Sequence, residues 1–136
     1  MNAMEKVAWT ELIVSVVAVA VATLLSPWLG SRATSAFALL ALIVLGYAFI
    51  RPRGHRIVVD ERDREIERRA TRIGVGTAWM TLSAVLATAT VWSNYSNIHA
   101  VSTGFLNWLI WVQFAICYGT KGLASVVMYR RQQHAT

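Results

Sequence analysis

Hydrophobic positions in this chain come in long unbroken blocks instead of the short alternations of a water-soluble fold. Residues 12 to 31, 33 to 50 and 73 to 120 contain no charged side chain. About 20 apolar residues cross a hydrocarbon core of roughly 30 Å. The first two blocks therefore predict one spanning helix each, and the third predicts two joined by a polar turn. The expected spans cover residues 9–25, 34–50, 73–92 and 103–129. Pro27 and Gly30 punctuate the first, and Arg51, Pro52, Arg53 and Gly54 stop the second. The polar run from Ser93 to His99 separates the third from the fourth, which closes at Arg130 and Arg131. The predicted fold class is all-α: an integral membrane four-helix bundle of two transmembrane hairpins joined by a charged loop over residues 51–72. Residues 1–136 are expected to form a single transmembrane domain. The apolar run behind Lys6 is longer than a signal-peptide core, so it reads as a span.

Composition agrees with that class, at 56% hydrophobic and 15% charged residues with a mean hydropathy of +0.48. Charge then sets the orientation. Lys6, the eight arginines from Arg51 to Arg72, and Arg130 with Arg131 fall on one side of the predicted spans, and Arg32 alone on the other. Positive charges in short loops stay cytoplasmic, so the expected location is the cytoplasmic membrane, multi-pass, with both termini inside. Trp28, Trp92, Trp108 and Trp111 then fall toward the outer interface and Trp9 at the inner one. The formal charge of +6 thus serves topology and predicts no direct nucleic-acid binding. It suits the anionic headgroups of the inner leaflet, with Arg51, Arg53 and Arg56 as the lipid-facing residues.

Residues 60 to 72 read D-E-R-D-R-E-I-E-R-R-A-T-R and contain no helix breaker. The pattern predicts a helix that flows into the third span, capped by Asp60 with Asp63, acidic early and basic late. Glu65 and Arg69 stand at i, i+4. Ile66, Ala70 and Ile73 make a narrow apolar stripe. Asp60, Glu61, Arg62, Glu65, Ile66 and Arg69 form the candidate docking surface for a cytosolic regulatory protein or for a second copy of the loop.

The run Asp60-Glu61-Arg62, with Ile66 four positions after Arg62 and Arg69-Ala70 ahead of the span, resembles the cytoplasmic-loop signature of a family of small prokaryotic four-span membrane proteins with no assigned function. The resemblance covers the loop and the number and spacing of spans. The chain departs from it at Arg69, where lysine is usual, and at Thr71, where glycine is usual. Members are frequently encoded beside small helix-turn-helix regulators, so the resemblance implies a membrane partner for a transcription factor and no particular activity.

Two charged groups fall inside predicted spans, where they are costly and mark function by default. Glu11 and Lys121 both lie in the cytoplasmic half, and two readings stand: they pair with each other, or Glu11 is interfacial and Lys121 snorkels to the headgroups. Gln113, Cys117 and Lys121 follow at steps of four on one helical face. Matching small or polar faces run through Glu11, Ser15, Ala18, Ala22 and Ser26, and through Thr77, Thr81, Ala84 and Thr88. Close helix packing with hydroxyls bonding across the contacts is the first expectation. A polar path in a homo-oligomer is the second. No catalytic constellation is recognisable: His55, His99 and His134 are scattered, Cys117 stands alone, and no spacing suits a metal. The chain is expected to act by interaction, without cofactor or enzymatic chemistry, as a signalling or regulatory subunit. An oligomeric channel or small transporter is the alternative.

Overall fold

A computed structural model describes residues 3–46, 60–96 and 100–133. The elements are all helical. Helix α1 covers Ala3–Leu29, and a 3₁₀ segment over Gly30–Leu42 runs into the single turn α2, Ile43–Gly46. The long helices α3, Glu61–Ser96, and α4, Thr103–Gln133, follow. The all-α expectation holds. Three helices, Met4–Leu29, Glu61–Ser96 and Thr103–Arg131, are long and apolar enough to cross a membrane, whereas the apolar helix Arg32–Leu45 is shorter.

Helix α1 does not stop at Leu25 as Pro27 suggested. Proline has no N–H to offer the carbonyl of Thr23 four residues back, but the Ser26 hydroxyl donates to that carbonyl at 2.9 Å. The acceptor is satisfied inside the helix, as a non-aqueous solvent demands. The chain turns only at Gly30, whose φ of +54° suits a residue without a Cβ.

The following segment, expected as an α-helical span over 34–50, is instead a 3₁₀ helix until Leu42. Its burial repeats every three residues. Arg32, Ser35, Ala38 and Ala41 are exposed, while Ala33, Thr34, Ala36, Phe37, Leu39 and Leu40 are wholly or partly buried. With three residues per turn, one column faces out and two face in. Phe37 packs on Ala18, Ala22 and Ala115 and stacks on Trp111 at 6.5 Å between ring centroids. Trp111 is thus partly engaged in packing as well as reaching the surface. Residues 47–50, and with them Arg51, Arg53 and Arg56, lie outside the described residues.

Helix α4 lies between α1 and α3 and packs against both, and the 3₁₀ segment leans on α1. Two glycines set the approaches. A Cβ on Gly122 would stand 2.8 Å from the Ala8 carbonyl oxygen, and one on Gly74 would stand 2.6 Å from the Cys117 carbonyl oxygen. Lipid tails are as apolar as leucine, so such close backbone packing holds helices together where burial alone cannot.

The charged segment 61–72 is helical and continuous with the uncharged part of α3, as its sequence predicts. Ser93 to Ser96, expected as a turn, extend the same helix. The buried residues of α3 are Asp63, Ile66, Ala70, Gly74 and Ala78, and none of its described residues beyond Ala78 is buried. From there α3 and α4 part. A cleft of about 450 Å³ opens between Ala78, Leu82, Leu109 and Gln113, and one of about 700 Å³ between Ala84, Thr88, Trp92, Val101 and Phe105.

Candidate functional site

Lys121 stands where α1, α3 and α4 converge. Its Nζ donates to Glu11 Oε1 of α1 at 2.7 Å and lies 2.7 Å from Glu67 Oε1 of α3. The Lys121 and Glu11 side chains are 7% and 2% exposed, and that of Glu67 is 35% exposed. Of the two readings of Glu11 and Lys121, the structure has the pair, joined by a carboxylate that the sequence places in the charged loop. Gly74 shapes the site, because a Cβ there would come within 2.9 Å of Lys121 Cβ. An ammonium taken out of water is tolerated when carboxylates stand at bonding distance, and one ammonium here serves two helices at once.

Toward the ends of α3 and α4 that carry the arginines, the Tyr129 hydroxyl donates to Asp63 Oδ1 at 2.9 Å. Asp63 is buried and has a second task. Its Oδ2 accepts from the Asp60 backbone N–H at 3.4 Å, while Asp60 Oδ1 accepts from the Glu61 N–H at 2.7 Å, closing the start of α3. Met4, Ile66 and Tyr129 form an apolar cluster beside this bond, and Glu5 is buried nearby on α1. The Arg130 guanidinium lies 5.4 Å from the Trp9 ring centroid, a cation–π contact across α1 and α4.

The polar stripe of α4 faces α3. Gln113 Nε2 donates to the Ala78 carbonyl, and the Cys117 carbonyl lies under Gly74. Cys117 is free and half-buried. Gln113 Oε1 and the hydroxyls of Ser15 and Ser125 are buried without a partner among the described residues. Glu11, Ser15, Ala18 and Ala22 are buried as their spacing predicts, whereas Ser26 is exposed. On α3 the expected cross-helix hydroxyl bonds are absent for Thr81 and Thr88. They donate to the Thr77 and Ala84 carbonyls of their own helix.

The six candidate docking residues divide by face. Asp60 caps the helix, and Ile66 is buried with Ala70 on the inner side, while Ile73 is 48% exposed. Glu65 and Arg69 bond to each other at 2.7 Å with both side chains in solvent. That hydrogen bond holds the Glu65 carboxyl below the usual carboxylate range. Glu61 and Arg62 are exposed. The side of α3 opposite its buried stripe consists of Glu61, Arg64, Arg68 and Arg72, all exposed; the last three were not singled out from sequence.

Among the described residues, no group of three or more His, Cys, Asp or Glu side chains is arranged to hold a metal ion. His55, His99 and His134 lie outside those residues. No known protein family, curated protein or solved structure matches the chain.

Proposed function

We propose that this chain is a membrane-embedded signalling or regulatory subunit, and that the arginine face of its α3 arm meets a cytosolic protein. The observation that carries the reading is the double engagement of Lys121. By bonding α1 and α3 together over α4, it fixes the arm carrying Arg64, Arg68 and Arg72 to the spanning helices. A shift in helix packing would then move the arm, and a partner docked on the arm would bias the packing. The D-E-R-x-x-x-I resemblance points the same way.

Helix lengths support the placement. At about 1.5 Å per residue, Thr103 lies about 27 Å from Lys121 along α4, and Leu29 lies about 27 Å from Glu11 along α1. Both distances approach the thickness of the hydrocarbon core, roughly 30 Å. The ion cluster accordingly sits at the inner edge of the bilayer, with the arm in the cytoplasm. The 3₁₀ segment favours a fourth crossing. A rise of about 2.0 Å per residue to Leu42 and about 1.5 Å through the turn to Gly46 carries residues 30–46 over about 30 Å, where an α-helix of that length reaches only about 24 Å.

The channel reading is the weaker one, because Lys121 and the Gln113 amide nitrogen are bonded within the bundle and Cys117 borders an apolar cleft. A photo-cross-linker at Glu61 or Arg72 in living cells tests the choice. The expected result is a discrete adduct with one cytosolic protein, lost on Arg64→Glu with Arg68→Glu. Absence of any adduct, together with ion flux in liposomes that Lys121→Met abolishes, would replace this reading with the channel.

A further inference from the structure

We infer that the seam between the arginine-bearing ends of α3 and α4 binds the phosphate of an anionic glycerophospholipid. A cavity of about 330 Å³ opens there, lined by Arg62, Glu65, Ile66, Arg69, Met128 and Arg131. Three guanidinium groups ring it against one carboxylate. Glu65 engages Arg69 through Nε alone in the recorded bond, and a guanidinium carries five N–H donors in a planar fork that matches phosphate oxygens. That pair is exposed on both sides, 68% and 53%, so its bond is weak enough for a phosphate to share. Arg62 and Glu65 lie at the N-terminal end of α3, where the helix dipole adds positive potential.

The floor of the cavity separates a lipid from a free phosphate ion. Ile66 and Met128 form it, and apolar atoms give a hydrated inorganic anion nothing to bind. A glyceride backbone would cover them. Ile73 stands on the same face of α3 seven residues beyond Ile66, 48% exposed, at the start of the uncharged run. It offers a path for an acyl chain from the charged rim toward the bilayer. This site is distinct from the outward face of Arg64, Arg68 and Arg72. It rests on the membrane placement and not on the existence of a cytosolic partner.

The test uses the full chain purified in an uncharged detergent, with native mass measurement after titration of phosphatidylglycerol or phosphatidylcholine. One phosphatidylglycerol retained per chain, with no retained phosphatidylcholine, is expected. Arg69→Gln with Arg131→Gln should weaken retention at least about tenfold, since a hydrogen bond to a charged group is worth roughly that factor. Arg64→Gln on the far face should leave retention unchanged. Arg131→Gln alone, at the exposed end of α4, should move it in the same direction if the double variant folds poorly. Equal retention of both lipids, unaltered retention by the arginine variants, or displacement of the lipid by millimolar inorganic phosphate would each overturn the site.

Discussion

Around Lys121, the residues that face neighbouring helices include carboxylates, an ammonium, a phenol, serines and glycines beside apolar Val7, Ile66 and Val126. They run from Glu5 to Ser15 on α1, Asp63 to Ala78 on α3 and Cys117 to Tyr129 on α4. Toward Trp92, α3 presents Ala84, Val85, Thr88 and Ala89 to an open cleft closed on its other side by Val101 and Phe105. The inner region is tight, polar and cross-linked by ion pairs, and the outer region is apolar and splayed. The difference teaches what holds helices together when water is absent. Apolar side chains gain nothing over lipid by meeting each other, so cohesion gathers where glycines admit close backbones and where polar groups find partners.

The sharpest way to break this contrast is to strand the buried charges. Lys121→Met leaves Glu11 and Glu67 facing each other without a cation and should lower unfolding stability in detergent by about 3–5 kcal/mol. Adding Glu11→Gln should restore part of that loss, since the deeper carboxylate is then neutral. A loss in the double variant equal to the sum of the Lys121→Met and Glu11→Gln losses would show that the pair carries no coupling.

Backbone contact comes next. Gly74→Ala and Gly122→Ala each push a Cβ to within 3 Å of backbone atoms on a neighbouring helix and should lose about 1–3 kcal/mol. Gly76→Ala meets nothing within 4 Å and should be neutral or stabilising by up to about 1 kcal/mol through helix propensity. Thermal unfolding of the three variants side by side reads this difference directly.

Smaller effects sharpen the boundary between the regions. Tyr129→Phe leaves Asp63 Oδ1 without its donor from α4 and should lose about 1–2 kcal/mol by the same assay. In the outer cleft, Ala84→Leu and Thr88→Val should stay within about 0.5 kcal/mol. A loss comparable to that at Gly74 would mean that the cleft is closed by packing.

Sequence carried the helical class and marked Glu11 and Lys121 as charges set among apolar residues, because uncharged blocks and stranded charges are visible without neighbours; it leaves open whether the two pair. Glu67 was hidden by its setting. In a run where every acid has an arginine close by, local pairing accounts for each charge and no residue asks for a distant partner. The signal that finds it is periodicity: the small stripe Ala78, Gly74 and Ala70 extends back to Glu67, Ile66 and Asp63. The same rhythm explains why Ile73, grouped with Ile66 and Ala70 from sequence, is half exposed instead. The 3₁₀ segment was illegible because apolar blocks record length and hydropathy but not residues per turn; the cue was the three-residue recurrence of small or polar Arg32, Ser35, Ala38 and Ala41.

The central claim is that the Lys121 cluster fixes the charged arm of α3 to the long apolar helices α1 and α4. The direct measurement is the distance distribution between spin labels at Ile13→Cys and Arg68→Cys in a Cys117→Ser background, both sites being exposed. One narrow distance is expected with Lys121 present, and a broadened or displaced distribution with Lys121→Met. An unchanged narrow distribution in the Lys121→Met protein would contradict the claim and leave the arm held by Ile66, Tyr129 and Asp63 alone.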